Sequence, residues 1–125
     1  MSTEQAGEEA SPSEACLRAD ADLSRAFVLL GKRWTAVVLG VLSHGPAGFR
    51  ELSRVVGGIS DSVLSDRLSE LVEAGLIART VNEGPPVTVS YALTGCGTAL
   101  MPALEQVSRW AREHVPRDER RGIRG

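Results

Sequence analysis

The chain lacks a long apolar segment, and this shortage excludes one class of protein. No apolar run approaches the roughly 20 residues that a membrane-spanning helix needs. The acidic N-terminus has neither the basic start nor the apolar middle of a secretion signal. We therefore expect a cytoplasmic protein without a membrane partner. With 125 residues, 42% of them hydrophobic, the chain has room for one globular domain and its tails.

Motifs for catalysis and metal binding are also missing. His44 and His114 lie 70 residues apart, without triad or metal-ligand spacing, and the sequence contains no phosphate loop or nucleophile elbow. Cys16 and Cys96 lie 80 residues apart without a CxxC pair. Two reduced thiols are the expected state in a cytosolic protein, with a redox role for Cys16 as the alternative. The sequence predicts no enzyme, no metal and no cofactor.

Positive charge is scarce overall but unevenly distributed. The net charge is −2, and residues 1–22 alone hold six acids against one base. Residues 23–115 hold nine bases against eight acids, and residues 116–125 hold four arginines against two acids. We predict a disordered acidic tail over residues 1–15, a folded domain over residues 16–115 and a flexible arginine-rich tail over residues 116–125. The small positive charge of the folded part is a weak footprint for a nucleic-acid binder, so dimerisation and local clustering would have to strengthen it.

Apolar residues at helical spacing predict two helices before residue 46. The first begins at about Asp22, continues through Phe27 and closes at Gly31. The second begins near Trp34, which we interpret as a core residue, and ends at the Gly45–Pro46 stop.

A short helix, a glycine turn and a capped helix come next. Residues 49–56 have the spacing of a two-turn helix, and residues 57–59 form the turn. Ser60 is a good N-cap for a helix over residues 61–74, and Gly75 suits the left-handed position after its end.

Two runs rich in β-branched residues follow, and then a last helix. Residues 76–81 and 87–93 predict a hairpin with a five-residue tip. Thr94 can cap a helix that runs to about residue 115, in which Pro102 should cause a kink or mark the start of the regular part.

This order of elements predicts an α+β fold, mostly α: a winged helix-turn-helix with a two-stranded β-hairpin wing and N- and C-terminal dimerisation helices. In such folds the second helix of the motif lies in the major groove of duplex DNA, and the wing reaches the adjacent groove or backbone. The alternative is a capped helix that packs against a hairpin and has a merely solvated polar face. The candidate DNA contacts on the recognition helix are Ser60, Ser62, Ser65, Arg67 and Ser69. The other candidate contacts are Arg50 and Arg54 on the preceding helix, Arg79, Asn82 and Thr88 in the wing, and Lys32 and Arg33 before Trp34.

For each arginine a solvated surface role is the alternative, and Arg67 could equally pair with Glu70. The exposed acids of the recognition helix are interpreted as capping charges and ordinary surface groups.

The last helix has a wider apolar stripe than one small domain needs for its own core. A partner helix would cover this stripe, which implies a homodimer whose two helix-turn-helix units bind two half-sites. The alternative is that the stripe folds back on the first helix. The candidate interface residues are Leu100, Leu104, Val107, Trp110 and Ala111, together with Leu23 and Phe27 of the first helix.

Five segments resemble the HxlR-type winged-helix transcriptional regulators, which are relatives of the MarR group. The segments are LGKRWT at 30–35, FREL at 49–52, GISDSVLSDRL at 58–68, LVEAGLI at 71–77 and YALT at 91–94. The resemblance covers roughly residues 16–115. It implies a dimeric regulator of nearby operons that dimerises through its terminal helices, and some family members sense oxidants or electrophiles through an N-terminal cysteine.

Two positions depart from the family pattern. Ala21 stands where the sensing cysteine is expected, while Cys16 lies five residues earlier and is followed by Leu17 instead of proline. Gly95–Cys96 replaces a usual proline–leucine pair, which makes Cys96 either a substitute thiol or a packed small residue. Together with Gly97 it puts two glycines at a helix start, each costing about 1 kcal/mol relative to alanine.

We therefore expect a sequence-specific transcriptional regulator that acts as a homodimeric repressor on a pseudo-palindromic operator in double-stranded DNA. One alternative is a ligand- or redox-gated regulator of the same fold, with an unknown small-molecule effector bound between the dimer helices and the reading head. The other is a degenerate winged helix that mediates protein interaction without binding DNA.

Overall fold

The computed structural model describes residues 13–117 and shows the predicted winged helix-turn-helix order. Within these residues five helices and two strands follow one another: α1 Glu14–Leu30, α2 Thr35–Leu42, α3 Phe49–Val56, α4 Asp61–Glu73, β1 Ile77–Asn82, β2 Thr88–Leu93 and α5 Gly95–His114. The predicted class, mostly helical with a two-stranded antiparallel hairpin, is confirmed.

The chain divides into two compact units, residues 1–33 and residues 34–125. In the first unit α1 begins at Glu14, eight residues before the predicted start at Asp22. The extension is explained by local bonds, because the Leu17 amide donates to the Ser13 carbonyl at 3.1 Å and Glu14 lies 3.9 Å from Arg18 one turn later. Most of the predicted acidic tail (residues 1–12) and residues 118–125 of the arginine-rich tail lie outside the described residues.

The second unit has a core built mainly from its three short helices. The α2 residues Thr35, Val38, Leu39 and Leu42 are buried because they recur on one side of the helix. From this side α2 packs against α3, β2 and α5. Helix α4 packs against β1, and its buried residues are Leu64, Leu68 and Leu71. None of the described helices is both long and apolar enough to cross a membrane.

The hairpin is joined by backbone bonds to the segment that leads into α3. Strands β1 and β2 pair antiparallel from Ile77 opposite Leu93 to Asn82 opposite Thr88. On its other edge β2 forms an isolated bridge, in which Ala47 and Tyr91 exchange hydrogen bonds of 3.0 and 2.8 Å. The wing is therefore bonded to the helix-turn-helix through its own backbone.

The start of α5 shows why position 97 is a glycine, although glycine lowers the stability of a helix. The Thr94 hydroxyl accepts a hydrogen bond from the Gly97 amide at 3.1 Å and donates one to the Gly75 carbonyl at 2.6 Å, which confirms the predicted cap. A Cβ atom at Gly97 would clash with the carbonyl oxygen of Leu76. Helix α5 runs through Pro102, so the expectation that the regular helix starts at that residue is wrong.

Candidate nucleic-acid interface

The N-terminus of α4 is held by two side-chain contacts. The Ser60 hydroxyl accepts a hydrogen bond from the Val63 amide at 3.2 Å, which confirms Ser60 as the N-cap, and it lies 3.4 Å from the Ser62 hydroxyl. Arg50 of α3 donates from Nη1 to Oδ2 of Asp61 at 3.3 Å, with both side chains exposed. The first turn of the recognition helix is thus tied to α3, and Arg50 offsets the acidic charge there.

One face of α4 is entirely polar. The exposed residues Ser62, Ser65, Asp66, Ser69 and Glu73 lie opposite the leucines that pack into the core. With 3.6 residues per turn, they form a single exposed stripe. Serine hydroxyls donate or accept hydrogen bonds, so this stripe can contact base edges and phosphates alike.

A cleft of about 560 Å³ separates α4 from the base of the wing. Ser65 and Ser69 line it from the helix, and Arg79 lines it from β1. Its other lining residues are Leu68, Val72, Glu73 and Tyr91. Arg79 is exposed and forms no ion pair within residues 13–117, so its guanidinium is available to a phosphate. The structure therefore brings together two predicted helix contacts and the principal predicted wing contact.

The sequence leaves open whether Arg67 contacts a phosphate or pairs with Glu70, and in the structure Arg67 lies beside Glu70. Its side chain is only 15% exposed, and its Nε lies 3.5 Å from Oε1 of Glu70. That Nε is buried and makes no hydrogen bond, because the contact with Glu70 has poor geometry. Arg67 lies beside the leucine core, away from the exposed serines. It is therefore not part of the polar face.

The other predicted contacts belong to other segments of the chain. Arg54, in the last turn of α3, is exposed and has no ion-pair partner in the described part of the chain. Lys32 and Arg33 are exposed and belong to the first compact unit. At the wing tip the Asn82 amide donates to the Thr88 hydroxyl at 3.3 Å, which ties the ends of the two strands together.

Two further residues, one in the lining of the cleft and one on the polar face of α4, were not among the predicted contacts. Tyr91 lines the cleft and is bonded through its backbone to Ala47. Asp66 lies on the same face as the serines, where the sequence predicts an ordinary surface acid. The sequence pattern indicates this position, because Asp66 lies four residues after Ser62 and three before Ser69, the spacing of residues on one face of a helix.

The predicted dimer residues of α5 differ in exposure. Leu100, Leu104 and Ala111 are half-buried, whereas Val107 and Trp110 are 51% and 57% exposed. On α1, Leu23 and Phe27 are both more than half exposed. A cleft of about 490 Å³ lies between α2 and α5, with apolar lining from Val37, Met101, Leu104 and Val107.

These elements match a known family of regulators. The model of the HxlR-like helix-turn-helix family matches residues 29–119, a range that includes α2 to α5 and the whole hairpin. The chain belongs to this family. The transcriptional regulator YodB of Bacillus subtilis is 39% identical over 89 residues, which are 71% of this chain and 80% of YodB. The regulator YvaP of the same organism is 38% identical over 103 residues, which are 82% of this chain and 92% of YvaP.

Solved structures agree with the sequence comparison. The reduced form of YodB from B. subtilis has a TM-score of 0.71 at 38% identity, covering 78% of this chain and 96% of that one. The oxidised form of the redox regulator HypR has a TM-score of 0.71 at 27% identity, covering 78% of this chain and 98% of that one. The chain is thus a DNA-binding transcriptional regulator of the winged helix-turn-helix type, and its family is not one of enzymes.

Proposed function

We propose that this HxlR-like regulator acts as a homodimeric repressor on a pseudo-palindromic operator. Helix α4 inserts its polar face into the major groove of double-stranded DNA, and the wing contacts the backbone beside it. The observation that carries this proposal is the cleft that Ser65, Ser69 and Arg79 share. It combines groups that contact base edges with a free cation for a phosphate.

The exposed apolar residues of the terminal helices support the dimer. Val107 and Trp110 on α5, and Leu23 and Phe27 on α1, leave large apolar side chains in water. Burying them against a second copy would recover about 25 cal/mol for each Å² of apolar surface. A dimer also places two helix-turn-helix units on one DNA molecule. The two units together make more phosphate contacts than one unit with its small positive charge.

The test is a footprint on the intergenic region beside the gene, followed by a reporter assay. We expect two protected half-sites with their centres about one helical turn, or a multiple of it, apart. Reporter expression from the adjacent promoter should rise when the gene is deleted. Absence of protection in this region would contradict the proposed operator there, and a fall in expression would contradict repression.

Thiol gating is a second candidate function, and a specific comparison favours it. YodB structures exist in reduced, diamide-treated and quinone-bound forms, at 38%, 36% and 35% identity to this chain. In this chain Cys96 is an exposed free thiol in the first turn of α5, and Cys16 lies in α1. Diamide should weaken operator binding of the native chain, and Cys16→Ser and Cys96→Ser identify the responsible thiol. Binding unaffected by diamide would exclude this gating.

A small-molecule effector is a further form of gating, favoured by the cleft between α2 and α5. Its 490 Å³ falls within the usual size of ligand sites, and most of its lining is apolar. A thermal-shift screen of metabolites tests it, because a ligand that binds only the folded chain raises its melting temperature.

A further inference from the structure

Asp66 has a position on α4 that capping cannot explain. It is the sixth residue of the helix and is exposed between Ser62 and Ser69 on the polar face. A carboxylate in the first turn stabilises a helix through the free amides and the dipole, but that effect fades within one turn. Asp61 occupies the favourable position, and Asp66 lies a full turn beyond it.

Asp66 also lacks the internal partners that the neighbouring acids have. Asp61 is paired with Arg50, and Glu70 is paired with Arg67. Within residues 13–117 no ion pair or hydrogen bond engages the Asp66 side chain. The carboxylate is therefore free of internal partners and lies on the face that the proposed function directs into the major groove.

The chemistry of the groove limits what a carboxylate can contact there. An ionised carboxylate only accepts hydrogen bonds, and the DNA phosphates repel it. The major groove offers two kinds of donor, the amino group of cytosine and that of adenine. The adenine amino group lies between two acceptors, N7 of the same base and O4 of the paired thymine. The cytosine amino group has one acceptor beside it, O6 of the paired guanine, so cytosine repels a carboxylate less.

We propose that Asp66 is a specificity-determining residue whose carboxylate accepts a hydrogen bond from the amino group of a cytosine, making one C·G pair in each half-site a requirement. This inference rests on the proposed operator binding. The serines beside Asp66 both donate and accept, so they tolerate several bases. Asp66 excludes those base pairs that present only acceptors at its position.

The experiment selects binding sites from a randomised duplex library with the full-length chain, and then measures affinities by fluorescence anisotropy. For the native chain, changing the required C·G pair to T·A should weaken binding about 5- to 150-fold for each half-site. With Asp66→Ala the two duplexes should bind equally. With Asp66→Asn the preference at that position should move to A·T, because an asparagine amide pairs with N6 and N7 of adenine.

Glu105→Gln is the matched control, since it removes one exposed carboxylate from α5, outside the helix-turn-helix and the wing, and should leave the selected motif unchanged. If Asp66→Ala and Asp66→Asn select the native motif, Asp66 is a solvated surface acid and the inference is wrong, while the proposed function stands. A native motif with adenine at this position would also overturn the inference. If the native chain selects no motif at all, both fail.

Discussion

Replacing Arg79 of the wing is the most direct test of the proposed DNA contacts. Arg79 lines the cleft beside the recognition helix and has no ion-pair partner within residues 13–117. Replacing it with alanine removes a cation without breaking an internal contact. We therefore expect Arg79→Ala to fold as the native chain does and to bind every duplex more weakly.

The size of the loss follows from the number of contacts. The proposed homodimer presents Arg79 twice, and each solvent-exposed contact between an arginine and a phosphate contributes about 1 kcal/mol. The loss is then about 2 kcal/mol, or roughly 30-fold in affinity. Each phosphate contact also releases counterions, so the slope of log affinity against log salt should become shallower by about 0.9 for each contact, or about 1.8 for the dimer.

Fluorescence anisotropy with a labelled operator duplex, at several salt concentrations, measures both quantities. Arg109→Ala is the matched control, because Arg109 is also exposed and lies on α5, outside the helix-turn-helix and the wing. It changes the net charge by the same amount and should leave the slope unaltered. If Arg79→Ala keeps the native affinity and slope, the wing does not contact phosphate and the proposed docking of the cleft is wrong.

Three further predictions concern assembly and stability. Trp110→Ala should weaken the proposed dimer about 30-fold or more, because a large exposed aromatic residue is typical of interface hot spots. Sedimentation measures the dissociation constant, and an unchanged dimer would exclude Trp110 from the interface. Gly97→Ala should lower the free energy of unfolding by about 1–3 kcal/mol, because the added Cβ would clash with the Leu76 carbonyl. Gly95→Ala should raise the free energy of unfolding by about 0.5–1 kcal/mol, because the space around its Cβ is open. Thermal melts measure both changes. Ser60→Ala should lower the free energy of unfolding by about 1 kcal/mol, because it removes the hydrogen bond from the Val63 amide. Ser69→Ala should leave the free energy of unfolding nearly unchanged. Equal melting temperatures of the two variants would show that the cap contributes little.

The order of elements was predictable because each boundary has a local chemical cause. Ser60 and Thr94 cap helices through their own hydroxyls, and Gly75 has the positive φ of 82° expected after a helix end. The start of α1 was missed because its first two turns are stabilised by backbone and charge contacts that leave little apolar periodicity.

The candidate site was less predictable than the fold, because it depends on contacts between distant segments. The exposed face of α4 follows from helical spacing alone. By contrast, the cleft depends on where the register of the hairpin places Arg79, and the burial of Arg67 depends on packing around α4. The need for glycine at position 97 depends on the carbonyl of Leu76, which lies 21 residues earlier.

The bridge between Ala47 and Tyr91 has a consequence for how relatives of this protein can diverge. It joins the wing to the segment before α3 through backbone atoms, which every residue type except proline supplies at these positions. The spacing between wing and recognition helix is thus independent of the side chains on the outer face of α4. Substitutions at Ser62, Ser65, Asp66 or Ser69 can therefore change which bases are preferred while the length and shape of the occupied DNA stay the same. New operators can be acquired in this way without a new scaffold.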